Sequence, residues 1–195
     1  YQGDFQKHLQ RIRDLGNDAL PVRDVAAAEN VDALVIPGGE STTIGMLLER
    51  FGVMEVVRRR IAAGLPVLGT CAGSILLADK IVGSNQPHIG GLRIEIERNS
   101  YGRQVESFEA NLRPGPAAGW ERWSEAPVHG VFIRAPIIKA VSSGVDVVLE
   151  FEERPVLVRQ GNIVAATFHP ELTPDNRVHE YFLQVVANLP AAGGR

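Results

Sequence analysis

The apolar residues of this chain follow two different periods. In the first third, apolar positions at helical spacing predict a helix over residues 4–15, with Gly16 at its C-terminal cap. A β-branched run at residues 31–36 ends in a Pro-Gly-Gly turn and is followed by a helical pattern, and the same order returns at residues 66–77. Strands that alternate with helices are typical of βαβ units, so the pattern predicts an α/β fold.

The second half has short apolar stretches separated by turn residues and no helical period. We predict strands there at residues 92–96, 105–112, 128–133, 145–151, 156–158 and 163–168. A last helix is predicted over about residues 174–189, before a tail rich in Pro and Gly (190–195) that we expect to be flexible. We therefore expect one three-layer α/β domain over residues 1–189, with a mostly parallel central sheet between helices and a small antiparallel extension.

Composition limits which classes of partner and which cellular location we expect for this protein. Lys and Arg total 20 and Asp and Glu total 23, and this net charge of −3 argues against a nucleic-acid or anionic-membrane surface. The sequence has no apolar run long enough to span a bilayer. The single cysteine, Cys71, excludes a disulfide framework and a cysteine-rich metal cage. We expect a cytoplasmic protein that acts on a small neutral or zwitterionic substrate and uses neither a metal nor a cofactor.

The pentapeptide Gly-Thr-Cys-Ala-Gly at residues 69–73 stands between a predicted strand and a predicted helix. This is the context of a nucleophile elbow. Small residues two positions to either side allow a sharp turn, and the N-terminus of the following helix favours a thiolate on Cys71. The alternative for a lone cysteine is an inert buried thiol. The flanking glycines favour the nucleophile.

A cysteine nucleophile needs a base and a group that orients the base. Four of the five histidines fall on predicted surface helices, in loops or at a strand start: His8, His179, His88 and His129. His169 follows a predicted strand, and Glu171 lies two residues further on. If the extended conformation continues, both side chains point the same way and Glu171 can orient the His169 ring. Such a pair in a loop is usually incidental, and the cysteine elbow makes it a catalytic hypothesis.

Acyl transfer also needs donors for a developing oxyanion. The N–H groups of Gly39 and Ala72 are candidates, because both loops are expected at the carboxyl edge of the sheet. A phosphate cradle at residues 37–43 is the competing interpretation, but the sequence contains neither G-K-[ST] nor G-x-G-x-x-G there. The residues alone thus indicate a cysteine hydrolase or acyltransferase with a Cys-His-Glu triad, and they leave its substrate open.

Several segments carry a family resemblance. PGGEST at 37–42, GTCAG at 69–73 and FHPEL at 168–172 resemble the class I, or triad, glutamine amidotransferases. RNSYGRQ at 98–104, FIRAP at 132–136 and the spelling PGGESTT narrow the likeness to the glutaminase subunits of pyridoxal 5′-phosphate synthase, over nearly the whole chain.

The resemblance implies a reaction and a partner. Cys71 would attack the side-chain amide of L-glutamine, His169 would carry the proton to the leaving ammonia, Glu171 would orient His169, and water would hydrolyse the glutamyl thioester. The substrate-binding residues implied by the matching motifs are Gly39, Glu40, Ser41, Arg98, Ile133 and Arg134. The ammonia would pass to the synthase (lyase) subunit, which builds the vitamin B6 coenzyme.

Three alternatives remain beside this interpretation. Another triad amidotransferase or a glutamyl hydrolase would share the triad, but RNSYGRQ and FIRAP argue against it. A cysteine-elbow redox or stress sensor would not need the pair of His169 and Glu171. A purely structural subunit would keep glutamine-dependent activity in its complex after Cys71→Ala.

Overall fold

Helices and strands alternate along the first half of the chain, as the apolar pattern predicts. The computed structural model describes residues 5–98, 107–116, 120 and 126–189. The helices are α1 (Phe5–Asp14), α2 (Val25–Glu29), α3 (Ser41–Arg50), α4 (Val53–Ala62), α5 (Ala72–Leu77) and α6 (Arg177–Tyr181). A 3₁₀ turn, Pro170–Leu172, precedes α6, and a π-helical turn, Phe182–Val186, continues it.

The strands of the described residues form two sheets. They are β1 (Leu34–Ile36), β2 (Val67–Thr70), β3 (Ala78–Val82), β4 (Leu92–Glu97), β5 (Ser107–Pro114), β6 (Val128–Ile133), β7 (Ile137–Val141), β8 (Asp146–Phe151), β9 (Arg154–Gln160) and β10 (Ile163–Ala166). The larger sheet has the order β1-β2-β10-β9-β8-β5-β6, and the smaller has the order β3-β4-β7. The α/β class expected from the sequence is confirmed.

The parallel strands position the candidate site. β2 lies between β1 and β10 and is parallel to both, with Leu34 and Ile163 in register with Val67 on either side. The strands from β9 to β6 extend the sheet in antiparallel fashion. Since β1, β2 and β10 run the same way, the loops that follow them open at one edge, where open α/β sheets place their sites.

Two apolar cores lie on opposite faces of the larger sheet. Alternate residues of β2 and β10 enter different cores: Val67 and Ile163 pack in one, and Leu68 and Val164 pack in the other. These four side chains are at most 3% exposed. A strand buried on both faces reads as a continuous apolar run, which is why the sequence shows no alternation at β2 and β10.

Some elements differ from the sequence prediction. The first predicted strand covers only Leu34–Ile36, and the predicted last helix is shorter and ends in the π-helical turn. The pattern did not predict α2, β3 or β7. β3 follows α5 without a break, so its residues read as the end of a helix. The tail at 190–195 lies outside the described residues, and the domain boundary at residue 189 stays a prediction.

Candidate active site

Cys71 occupies a strained turn between β2 and α5. Its backbone has φ 48° and ψ −106°, and its N–H donates to the carbonyl oxygen of Ala166 at 2.8 Å. A Cβ on Gly69 would lie 2.6 Å from the carbonyl carbon of Gly73, and a Cβ on Gly73 would lie 2.0 Å from the carbonyl oxygen of Ile36. Both positions therefore exclude any side chain. The elbow that the G-x-C-x-G spacing predicts is present, with the left-handed φ that such a turn imposes.

His169 and Glu171 meet at the same edge of the sheet. The backbone N–H of His169 donates to the carbonyl oxygen of Val131 at 2.8 Å, which fixes the residue beside β6. Nδ1 of His169 lies 2.7 Å from Oε1 of Glu171, which is 1% exposed. The backbone route differs from the prediction: Pro170 begins a 3₁₀ turn, so the chain does not stay extended. The turn, rather than strand alternation, brings the two side chains together.

The surroundings of His169 favour its protonated form. Burial disfavours the charged ring, but the hydrogen bonds with Cys71 and Glu171 outweigh it and raise the pKa of His169 from 6.5 to about 10. Gly38 packs directly on this ring, since a Cβ there would lie 2.5 Å from Cε1 of His169 and 3.4 Å from Cβ of Cys71. The loop after β1 thus contacts both the candidate nucleophile and the candidate base.

The residues after Gly38 form the start of α3. Glu40 caps this helix, and its carboxylate accepts from the N–H groups of Thr42 at 3.1 Å and Thr43 at 2.7 Å. Burial opposes ionisation of this carboxylate, but the hydrogen bonds from Thr43 and Thr42 together outweigh it and lower the pKa of Glu40 to about 2. Gly39 has φ 152°, and the hydroxyl of the buried Ser41 donates to Oε1 of Gln86 at 3.3 Å. The side chain of Ser41 is therefore turned to the protein interior.

Arg98 lies against this loop. Its guanidinium donates to Oε1 of Glu40 at 3.0 Å, to Oγ1 of Thr42 at 2.9 Å and to Oε1 of Gln86 at 2.7 Å. No sequence signal pointed to Gln86, because this residue stands in a loop outside every motif. The remaining residues of the RNSYGRQ segment, 99–104, lie outside the described part of the chain.

The loop after β6 completes the surroundings of the thiol. The carbonyl oxygen of Ile133 lies 3.9 Å from Sγ of Cys71, within reach of a weak S–H donor. Arg134 follows with φ 44°, an unusual value for a residue with a side chain. Ala72 is the first residue of α5, so its N–H has no acceptor within the helix. The structure thus brings together the loops that the sequence analysis singled out.

The placement of two histidines on surface helices was wrong. His8 is 2% exposed and His179 is fully buried. The sequence did hold a signal: Phe5, His8, Leu9 and Ile12 share one helical face, so His8 lies on the apolar stripe of α1. His129 is exposed and pairs with Glu109 on the neighbouring strand at 2.8 Å, away from the triad.

The described residues contain no group of three or more His, Cys, Asp or Glu side chains that could hold a metal ion. No helix among them is long and apolar enough to cross a membrane.

Comparison with known proteins identifies similar chains. The model of the SNO glutamine amidotransferase family matches residues 1–188. Pyridoxal 5′-phosphate synthase subunit PdxT of Moorella thermoacetica is 46% identical over 185 residues, covering 95% of each chain. The protein of that name from Carboxydothermus hydrogenoformans is 49% identical over 185 residues, covering 95% of this chain and 94% of its own length.

Solved structures agree with the family match. A structure described as that of a glutamine amidotransferase is 46% identical and has a TM-score of 0.88, covering 96% of each chain. A structure described as that of PurLQS from Thermotoga maritima is 15% identical with a TM-score of 0.65, covering 92% of each chain. At that identity the likeness concerns the fold alone.

Proposed function

Because the chain belongs to the SNO glutamine amidotransferase family, we propose that it is the glutaminase subunit of a pyridoxal 5′-phosphate synthase. It hydrolyses L-glutamine to L-glutamate and ammonia, and the ammonia passes to a synthase subunit, whose lyase chemistry builds the vitamin B6 coenzyme. The observation that carries the proposal is the hydrogen bond between His169 and Glu171 at 2.7 Å, beside a cysteine in a strained elbow.

The first half of the reaction is acylation. The Cys71 thiolate attacks the side-chain amide carbon of glutamine, and the carbonyl oxygen becomes an oxyanion held by the N–H groups of Ala72 and Gly39. His169 is protonated because its pKa is raised to about 10, so it can give its proton to the departing nitrogen and release ammonia. Glu171 accepts from Nδ1 and keeps the ring in place.

The second half is hydrolysis of the glutamyl thioester. A water molecule gives a proton to the neutral His169 and attacks the acyl carbon. The C–S bond breaks, glutamate leaves, and the pair of thiolate and imidazolium is restored. The water-derived proton on His169 replaces the one that left with ammonia, so the enzyme returns to its starting state.

Glutamine recognition is assigned to the loops around the thiol. Arg98 binds the α-carboxylate, because a planar guanidinium can donate to both oxygens, and Glu40 stays ionised beside it. The backbones of Gly39 and Ser41 and those of Ile133 and Arg134 line the rest of the site. Since the side chain of Ser41 donates to Gln86, its contribution is through the backbone.

Two further points belong to the proposal. The glutaminase rate rises when the synthase subunit docks, because docking orders the Gly38–Gly39 loop and completes the oxyanion hole. A cytoplasmic location suits a protein whose only cysteine is its nucleophile, because that thiol must stay reduced. The redox-sensor alternative leaves the bond between His169 and Glu171 without a role.

The test measures glutamate release from L-glutamine by this chain, alone and with a pyridoxal phosphate synthase subunit. We expect release that rises with the synthase and is lost in Cys71→Ala and His169→Ala. The matched control is His129→Ala, which removes an exposed imidazole on β6 and is expected to keep full activity. Circular dichroism verifies that each variant is folded. A folded chain that releases no glutamate in either condition contradicts the proposal.

A further inference from the structure

Two buried histidines are hydrogen-bonded to each other, and one of them lies against the triad carboxylate. Nε2 of His8 lies 3.3 Å from Oε2 of Glu171, the oxygen that does not bond to His169. Nδ1 of the same ring lies 2.9 Å from Nε2 of His179. The two rings come from α1 and α6, and residues 8 and 179 are far apart in the sequence. None of these contacts has a part in the reaction described above.

The same ring reaches the elbow. Nε2 of His8 lies 3.1 Å from Oγ1 of Thr70, the residue immediately before Cys71. His8 therefore stands between the end of β2, which carries the nucleophile, and the 3₁₀ turn, which carries Glu171. A single side chain of α1 spans the two segments whose relative position sets the geometry of the triad.

The environment fixes where the protons of the two rings lie. Within the described residues, Nδ1 of His179 has no hydrogen-bond partner. We assign its proton to Nε2, because a buried N–H without an acceptor is rarer than a buried acceptor without a donor. Nε2 of His179 then donates to Nδ1 of His8, and the proton of His8 lies on Nε2, facing Glu171 and Thr70.

Both rings are neutral at pH 7. Burial lowers the pKa of His8 to about 4 against the opposing effect of Glu171, and burial lowers the pKa of His179 to about 4, with Arg11 acting in the same direction. The ionisable groups that face His8 are Glu171, His179 and His169. A neutral ring has one N–H to give, and the contacts direct that N–H towards Oε2 of Glu171 at 3.3 Å and Oγ1 of Thr70 at 3.1 Å.

Glu171 needs such a donor. It is 1% exposed, and within the described residues its Oε2 has no hydrogen-bond partner of good geometry, although Nε2 of His8 lies 3.3 Å away. A buried carboxylate that accepts at only one oxygen is free to turn about its last bond, and the unpaired oxygen is costly. Groups that fix the orienting residue of a catalytic set affect the rate through that residue.

We propose that His8, aligned by His179, is a positioning residue that donates Nε2–H to Oε2 of Glu171 and thereby holds the carboxylate against His169. It touches neither substrate nor thiol, and it acts through Glu171. As far as it concerns glutamine hydrolysis, this inference rests on the proposed function. The pairing of the Cys71 thiolate with the His169 imidazolium can be tested without glutamine.

The test compares two substitutions that leave position 8 uncharged. In His8→Gln the side-chain amide reaches the position of Nε2 and keeps a donor for Glu171. In His8→Asn the amide ends near the position of Nδ1, so it faces His179 and loses that donor. Val178→Ala is the matched structural control, because it removes buried volume beside His179 and leaves every donor in place.

The primary readout is the rate of Cys71 alkylation by iodoacetamide between pH 5 and 10, in the full chain without substrate. We expect His8→Asn to move the midpoint of the profile upward by about one pH unit, which is about tenfold slower alkylation on the acidic limb. His8→Gln and Val178→Ala should stay near the wild-type midpoint. Urea unfolding verifies that each variant is folded. If His8→Asn does not fold, His8→Gln still decides the matter, since a shifted midpoint there contradicts donation by Nε2.

The second readout is glutaminase activity in the complex with the synthase subunit, where His8→Asn should lower kcat about tenfold and leave KM for glutamine unchanged. Equal profiles for His8→Asn and wild type, or an equal shift in Val178→Ala, would overturn the positioning role. A wild-type complex that releases no glutamate, together with the expected alkylation shift, would reject the proposed function and leave the positioning role standing.

Discussion

Gly38→Ala tests whether the packing of the first loop sets the position of the catalytic base. A Cβ at Gly38 would lie 2.5 Å from Cε1 of His169 and 3.2 Å from its Nδ1. Ordinary contact begins near 3.4 Å, so the ring must move by roughly 0.9 Å or the loop must retreat by as much. Either movement stretches the bond of 2.7 Å to Glu171 or shifts the ring from Cys71. A misplacement of about 1 Å costs on the order of 10²-fold in rate, and this is the loss of kcat/KM that we expect.

The assay is steady-state glutamate release by the complex with the synthase subunit, together with urea unfolding of the chain. Gly83→Asn is the control: Gly83 has φ +68° with no atom within 4 Å of an added Cβ, and asparagine tolerates that conformation. We expect the control to retain activity. A folded Gly38→Ala variant with wild-type kcat/KM would refute the argument, because it would show that the His169 ring has room that the structure does not give it.

Three further outcomes are expected. Lowering the pH from 7 to 4 should lower the free energy of unfolding by about 3 kcal/mol for each of His8 and His179, because these histidines take up protons near pH 6.5 in the unfolded chain and only near pH 4 in the folded one. In urea titrations, His8→Gln should make stability depend less steeply on pH in that window. An unchanged slope would count against a buried neutral His8 ring. Phe132→Ala, which removes a fully buried ring stacked on Phe108 at 4.5 Å, should lower the free energy of unfolding by about 3–5 kcal/mol in urea titrations; a loss below about 1 kcal/mol would mean that the core closes over the gap. Arg98→Lys should raise KM for glutamine about tenfold with little change in kcat, because an ammonium group cannot replace the planar fork, and an unchanged KM would remove Arg98 from substrate binding.

The elements that the sequence predicts well are those whose cause is local. The turn at residues 69–73 is set by glycines that sit beside the cysteine, and a Cβ at either flanking glycine would strike backbone. The apolar runs of β2 and β10 are continuous because both faces of these strands are buried. The α/β class and the candidate nucleophile follow from such neighbour relations.

The elements that the sequence predicts poorly depend on distant partners. β3 and β7 each pair with β4 in the smaller sheet, and nothing in their own residues identifies that partner. Gln86 has no motif, and it is tied to the site only by its contacts with Arg98, Thr42 and Ser41. The pair of His169 and Glu171 was predicted from a continued extended conformation, and that reason was wrong, since the 3₁₀ turn at Pro170 makes the contact.

The order of strand, turn and helix, and the choice of cysteine, histidine and glutamate for the chemistry, can be read from the residues alone, because hydrophobic period and turn chemistry are properties of neighbouring residues. The contacts that other elements make with the triad depend instead on how the elements pack. His8 and Glu171 are brought to 3.3 Å by the packing of α1 against the 3₁₀ turn. No spacing in the chain encodes that contact, since it arises when separate elements bury their apolar faces together and the polar groups enclosed with them must find partners.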